Sequence, residues 1–313
     1  MIKNQELINI VIPCYNEGEN TEVVVSALQE VLKEYNFTII LVDDGSCDDT
    51  LSYLIELSQE FSNVKYLSLS RNFGHQIALK AGLDVSDGHC VISMDGDMQH
   101  PPSILPTLIE KWREGNDIVF TKREIDEKAS FFKRFTSSLF YKIINNLSYI
   151  RIEEGSADFR LIDQKVAIAI KQFNEQDIFL RGLFQWVGYK TTYVKFTPGE
   201  RFSGTTKYST RKMLQLALAG ITSFSVKPLR LAFYIGLVLS MVGFLYGFVA
   251  LFTYFFTNKN ITGWTSLIIF TTFIGGFQLL TLGILGEYIG KLFIQAKQRP
   301  LYLIKKHNIK DES

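Results

Sequence analysis

Between Leu231 and Gly286 the chain carries one charged residue, Lys259. Lys259 divides this stretch into two uncharged runs, 231–258 and 260–286, each long enough to cross a hydrocarbon core of about 30 Å. Lipid offers backbone N–H and C=O groups no water to bond, so a crossing run has to be helical. The first span is expected over 229–256. A short loop over 257–263 follows, with Trp264 as an interfacial anchor, then a second span over 265–293. Lys207, Arg211, Lys212, Lys227 and Arg230 precede the first span, and Lys291, Lys297, Arg299, Lys305 and Lys306 follow the second. Basic residues favour the cytosolic side, so this asymmetry predicts a hairpin in the inner or plasma membrane with both termini in the cytosol. Glycines such as Gly236, Gly243, Gly275 and Gly283 let helix backbones pack closely and allow a homo-oligomer without fixing its number.

The chain divides accordingly into a soluble domain over 1–210, an amphipathic juxtamembrane helix over 211–228 lying along the bilayer, the two spans over 229–293, and a basic cytosolic tail over 294–313. The N-terminus has no basic region leading into an apolar core, so no signal peptide is expected. The net charge of +1 gives no reason to expect a nucleic-acid partner. Cys14, Cys47 and Cys90 lack metal-ligand spacing and are expected to be free thiols.

The soluble part alternates short apolar runs with helical stretches. Strands are expected over 7–13, 38–42, 64–69, 90–94, 117–121 and 191–196. Helices are expected over 21–35, 49–62, a short one into which 71–83 leads, 102–114, 128–147, from about 164, and 179–187. This alternation predicts an α/β fold with a mainly parallel sheet and right-handed crossovers. Its strands should be covered on both faces, because runs such as Leu7–Pro13 hold almost no polar residue.

Polar clusters recur where the strands end: Tyr15-Asn16-Glu17, Asp43-Asp44, Arg71-Asn72 and Asp95-Gly96-Asp97. In a parallel sheet these ends share one edge, the place where open α/β sheets bind ligands. Several carboxylates there repel one another unless something positive binds among them. Asp95 and Asp97, two hard oxygen donors beside a glycine turn, suit Mg²⁺ or Mn²⁺, with water and substrate phosphates completing the shell. The plain alternatives are a solvated acidic turn for Asp95-Gly96-Asp97 and a turn with a helix cap for Asp43-Asp44-Gly45-Ser46. Asp158 follows Gly155-Ser156-Ala157 and reads as a carboxylate in a small-residue turn. The loop 198–212 holds four basic residues, and it is either a lid or disordered.

The stretches VIPCYNE (11–17), LVDDGS (41–46), RNFGHQIALKAG (71–82), MDGDMQHPP (94–102), GSADFRLID (155–163), RFSGTTKYS (201–209) and LGEYIGK (285–291) carry a resemblance that covers nearly the whole chain. In this order they resemble a family-2 glycosyltransferase of the GT-A (Rossmann-like) fold. More narrowly, the chain is similar to the polyprenyl-phosphate glycosyltransferases, the group of dolichol-phosphate mannose synthase and bactoprenol glucosyltransferase. The resemblance implies that Pro13, Tyr15, Glu17, Asp43 and Asp44 hold the nucleotide. Asp95 and Asp97 would be the D-x-D motif, with Asp97 on the metal, Asp95 on the nucleotide sugar or metal-bound water, and Gln99 completing the shell. Asp158 would orient or deprotonate the acceptor, and Arg123, Arg134, Arg201 and Lys207 would contact phosphates.

The implied reaction transfers a sugar, with inversion, from a nucleoside diphosphate sugar to a polyprenyl phosphate such as undecaprenyl phosphate. UDP-glucose and UDP-N-acetylglucosamine are the favoured donors. A processive polysaccharide synthase on the same fold is disfavoured, because Arg181–Trp186 has its Gln, Arg and Trp in the wrong order for Q-x-x-R-W. A lipid flippase or scaffold is disfavoured too, since the spans lack a polar path and a scaffold has no use for acidic strand ends.

Overall fold

The computed structural model describes residues 6–123, 156–197, 199, 225–256 and 263–309. The expected helix over 128–147 and the basic loop over 198–212, apart from Gly199, lie outside the described residues. So does the juxtamembrane helix over 211–228, apart from residues 225–228.

An eight-stranded sheet runs in the order β7-β5-β6-β4-β1-β2-β3-β8. The strands are β1 (Leu7–Cys14), β2 (Asn36–Asp43), β3 (Val64–Leu69), β4 (Cys90–Ser93), β5 (Ile118–Arg123), β6 (Ser156–Asp163), β7 (Thr191–Phe196) and β8 (Ile304–His307). Strands β3, β2, β1 and β4 are mutually parallel. β6 then runs antiparallel to both β4 and β5, β7 is parallel to β5, and β8 is antiparallel to β3.

Helices α1 (Asn20–Val31), α2 (Thr50–Glu60) and α4 (Leu105–Arg113) cover one face. Helices α3 (His75–Asp84), α5 (Gln164–Lys171) and α6 (Leu180–Trp186) cover the other. Side chains alternate along a strand, and on β1 this sends Ile8, Ile10 and Ile12 into one core and Val11 into the other. That double burial is why the strand sequences read as continuous apolar runs. At Gly82 a Cβ would stand 2.2 Å from Val11 Cγ1, so a glycine is what lets α3 lie this close to β1.

Two findings depart from the sequence reading. The stretch around Asp158 is not a turn but the start of β6. Because β6 is antiparallel to β4, with Ser93 opposite Arg160, its first residues lie at the edge where β1, β2 and β4 end. The tail after the second apolar helix is also more than a basic extension. It returns to the sheet as β8, Ser70 N donates to Leu303 O (2.8 Å), and Tyr302 Oη donates to Asp84 (3.0 Å).

Helices α7 (Lys227–Phe256) and α8 (Trp264–Ala296) are long and apolar enough to cross a membrane. Only 6% of the apolar window of α7 and none of that of α8 is buried within the protein, which excludes soluble core helices. Gly236 and Gly243 face Phe277 and Phe270 of the neighbouring helix. A Cβ at either would meet the facing ring at an ordinary 3.6 or 3.5 Å, and Gly247 with the α8 glycines from Gly275 to Gly290 faces open space, so this pairing of the two helices does not depend on its glycines.

Candidate active site

The site lies along the edge where β1, β2, β4 and β5 end and β6 begins. Its carboxylates fall into three environments.

Asp43 and Asp44 are buried. Asp43 accepts from Ser46 N (2.9 Å) and Ser68 Oγ (2.7 Å). Asp44 accepts from the backbone of Phe73 (2.7 Å) and Gly74 (2.9 Å), tying the β3–α3 loop to the end of β2. Burial pushes the Asp44 carboxyl above its usual range, and those two N–H groups offset part of the rise. Between the two loops, Gly45 has φ +64° and a Cβ there would stand 2.3 Å from the Arg71 carbonyl carbon, so no other residue fits. The neighbouring polar residues cross-link in the same way. Asn16 N donates to Ser46 Oγ (3.0 Å), Glu17 N to Thr50 Oγ1 (3.0 Å), and Asn20 Nδ2 to the Glu17 carboxylate (2.8 Å). Pro13 lies within β1, which runs on to Cys14, and Tyr15 stands exposed on the rim.

Asp95 and Asp97 differ. Asp95 is one-third exposed, yet its Oδ1 is a buried atom that accepts no hydrogen bond, with His75 Nε2 3.4 Å away from it. Asp95 N donates to Nδ1 of the fully buried His100 (2.9 Å), which leaves Nε2 as the protonated ring nitrogen, 3.7 Å from Asp95 Oδ2. Burial against Phe159 and Phe196 holds the His100 pKa below its ordinary value. Asp97 Oδ1 accepts from Gln99 N (3.1 Å). The Gln99 side-chain oxygen faces Arg123 Nη2 at 3.3 Å, which brings Arg123 to the D-x-D loop. Arg134, Arg201 and Lys207 lie outside the described residues.

Asp158 is gripped from two sides. Arg181 reaches both of its oxygens, Nε to Oδ1 (2.9 Å) and Nη2 to Oδ2 (2.6 Å), and Arg160 Nη2 adds a contact to Oδ1 (2.8 Å). Burial by itself would raise this carboxyl, but the two guanidiniums more than offset it and hold Asp158 well below the usual carboxylate range. Arg160 is fully buried over the Phe184 ring at 4.7 Å, and burial lowers its pKa to about 10. His75 at the start of α3 stands between two environments, 3.4 Å from Asp95 and 3.7 Å from Asp158.

The sequence reading passed over His75, His100 and Arg160, although all three lie inside its quoted motifs. A usable signal was that two of only four histidines, His75 and His100, sit in those motifs. Arg181 gave no such signal, because it comes from a helix outside those motifs.

Among the described residues no closed cage of three or more His, Cys, Asp or Glu is formed. Mg²⁺ and Mn²⁺ need none, since one or two carboxylates plus substrate phosphates suffice. The buried, unbonded Oδ1 of Asp95 beside Asp97 fits such an ion.

Next to Asp158 a cleft of about 410 Å³ opens between the start of α3 and residues 176–181. The segment forming its far wall is bonded to the end of α8. Lys291 pairs with Asp177 (2.6 Å), Gln176 N donates to Gln295 (2.9 Å), and Gln295 Nε2 donates to Asn174 O (3.1 Å).

A mixed sheet with a mostly parallel half and an acidic rim is followed by two helices long and apolar enough to cross a membrane. Residues 9–170 match Glycosyl transferase family 2, and residues 227–292 match the GtrB C-terminal hairpin. The chain belongs to glycosyl transferase family 2. It is 42% identical over 302 residues to the prophage bactoprenol glucosyl transferase homolog of Escherichia coli, covering 96% of this chain and 98% of that one. It is 42% identical over 301 residues to the bactoprenol glucosyl transferase of Shigella phage SfII, with 96% and 97% covered. An uncharacterized glycosyltransferase of Bacillus subtilis, YkcC, is 43% identical over 300 residues, with 95% and 93% covered. Among solved structures, the mannosyltransferase PcManGT from Pyrobaculum calidifontis, in complex with GDP-Man and Mn²⁺, shares the fold. Its TM-score is 0.50 at 15% identity, with 69% of this chain and 63% of that one covered.

Proposed function

We propose that the protein transfers one sugar, with inversion, from a nucleoside diphosphate sugar to the phosphate of a membrane polyprenyl phosphate, undecaprenyl phosphate. UDP-glucose and UDP-N-acetylglucosamine are the donors the reading favours. The observation that carries it is the bonding of the cleft wall, Asn174–Asp177, to the end of α8. A reaction centre attached to a membrane-crossing helix suits an acceptor that cannot leave the bilayer. The bactoprenol glucosyl transferases at 42% identity support the same reading.

In this reading the catalytic domain, over about 1–210, faces the cytosol. Both termini lie on that side of the inner or plasma membrane, and the product serves the cell envelope. Tyr15 and the cross-linked loops around Glu17, Asp43 and Asp44 form the nucleotide seat. Asp95 and Asp97 hold Mg²⁺ or Mn²⁺, and Arg123, positioned by Gln99, faces the donor diphosphate. An ion held by these carboxylates would supply charge neutralisation for the leaving diphosphate. The acceptor phosphate is already ionised near neutral pH, with a second pKa of about 6, and needs little help from a base. Asp158 therefore orients: held by two arginines, it is a poor proton acceptor and a firm anchor for Arg181.

The test supplies membranes containing the full chain with radiolabelled nucleotide sugars and polyprenyl phosphate. Label should enter the lipid fraction, with inverted configuration in the product. Label absent from lipid for every donor offered would overturn the reading.

A further inference from the structure

We infer that His100 is a positioning residue: its Nε2–H closes onto Asp95 Oδ2 when Asp95 takes up its ligand, and so fixes the direction in which the D-x-D motif presents that carboxylate. This rests on the metal and donor assignment proposed above and adds to it a residue and a contact.

Three observations converge. First, one ring spans both ends of one residue. His100 Nδ1 accepts from Asp95 N at 2.9 Å, and His100 Nε2 stands 3.7 Å from Asp95 Oδ2. A ring nitrogen that accepts is unprotonated, so Nε2 carries the hydrogen, with a carboxylate oxygen just beyond bonding range. Second, both sides are left incomplete. His100 Nε2 and Asp95 Oδ1 are buried atoms with no hydrogen-bond partner. A buried donor without a partner destabilises the fold, and a movement of about 1 Å at Oδ2 would supply one. His75 Nε2 lies 3.4 Å from Asp95 Oδ1, and Arg160 acts on the same carboxylate by charge. His100 differs from both in holding Asp95 by its backbone as well.

Third, the ring is fixed, so it is the carboxylate that moves. His100 is fully buried, stacked on Phe159 of β6 (centroids 4.9 Å apart, planes 16° apart) and edge-on to Phe196 of β7 (5.9 Å). Met98, at φ +61°, helps turn the loop back so that the ring reaches the Asp95 amide. Pro101 and Pro102, with their locked φ, follow directly. A rigid donor behind a ligating carboxylate is how outer partners orient metal ligands.

The test uses the full chain in detergent. His100→Asn keeps an acceptor near the place of Nδ1 and removes the donor at Nε2. His100→Gln keeps a donor near Nε2 and removes the acceptor. Both lose the stacked ring, so both should lower the melting temperature. The Kd for Mn²⁺ in the presence of UDP, read from the electron paramagnetic resonance of free Mn²⁺, should separate them. It should rise about tenfold in His100→Asn and less than about threefold in His100→Gln. Equal rises in both, or a rise in neither, would make His100 a packing residue and overturn the inference.

A second measurement needs no folded variant at Nε2. In the ¹⁵N-histidine spectrum of the unmodified protein, four histidines contribute, and the signal missing from His100→Gln is that of His100. Its Nε2–H proton should move downfield on adding Mg²⁺ with UDP, and an unmoved signal would overturn the inference. Should the unmodified protein bind no Mn²⁺ with either UDP or GDP, the metal assignment itself fails and this contact with it. Should it bind Mn²⁺ while His100→Asn binds equally well, only the role of His100 fails.

Discussion

Two pairs of aspartates, Asp43-Asp44 and Asp95-Gly96-Asp97, look alike in the sequence, each closing a strand beside a glycine. In the fold they do opposite things. Every oxygen pairing found for Asp43 and Asp44 runs inward, to Ser46, Ser68, Phe73 and Gly74, so that pair builds the loops around the proposed nucleotide seat. Asp95 keeps a buried oxygen with no hydrogen bond. A buried carboxylate oxygen left unbonded destabilises the fold, and it persists where a ligand completes it. Carboxylates that serve the structure are thus told from those that await a ligand by their hydrogen bonds, not by their spacing. Asp158 belongs with the first kind in its bonding and with the second in its position.

The largest expected effect tests the open pair. Asp97→Asn should cut turnover by ~10³-fold or more, about 4 kcal/mol in transition-state terms, and leave the melting temperature nearly unchanged. Near-normal turnover with Mg²⁺ or Mn²⁺ present would remove Asp97 from the metal site and dissolve the contrast.

Asp158→Asn should act the other way round, chiefly on stability. It leaves Arg160 and Arg181 without their shared anion, and breaking a buried pair typically costs ~3–5 kcal/mol. The folded pKa of Asp158 lies below its unfolded value of 3.8. Its contribution is therefore present above about pH 4 and lost only as pH falls further. Between pH 5 and 9 no limb of the rate profile should belong to it. The one acidic limb should fall near pH 6, where the acceptor phosphate takes up its second proton. If that limb moves in Asp158→Asn, Asp158 is a base after all.

Much of this was legible beforehand. The four parallel strands announced themselves because burial on both faces leaves a continuous apolar run, and the two apolar helices because a bilayer leaves no room for charge. The rim was legible because chain direction alone brings the ends of β1, β2 and β4 to one edge. The start of β6 was not. Small residues such as Ser156 and Ala157 carry a turn's composition, and only antiparallel pairing with β5 makes them a strand. Nor could spacing bring Arg181 to Asp158 or Tyr302 to Asp84, since those contacts span 23 and 218 residues and depend on packing against α3.

Asp44→Asn sharpens the contrast at a smaller scale. One of the two backbone N–H groups of Phe73 and Gly74 would meet an amide N–H₂ instead of an oxygen, a loss of about 1–2 kcal/mol. Burial already holds the Asp44 carboxyl above its usual range, so removing the charge offsets part of that loss. A net fall of ~1 kcal/mol in denaturant unfolding, with a raised Kd for UDP as the β3–α3 loop loosens, is the expected outcome. Unchanged stability together with lost turnover would move Asp44 to the ligand-awaiting group.

The smallest effect concerns Asp177, whose partner Lys291 comes from α8. This side chain is more than half exposed, and exposed pairs contribute ~0–1 kcal/mol. Lys291→Met should therefore barely shift the melting temperature. Its consequence should appear instead in geometry, because the pair fastens the cleft wall to the membrane helix while Gln176 and Gln295 hold the same wall from beside it. Turnover on long-chain polyprenyl phosphate in bilayers should drop about threefold, the scale of one lost exposed ion pair. Turnover on a short, detergent-soluble prenyl phosphate, which reaches the cleft without the helix to guide it, should stay unchanged. Equal losses on both acceptors would show that Asp177 serves the chemistry directly, and that a third carboxylate belongs with Asp95 and Asp97.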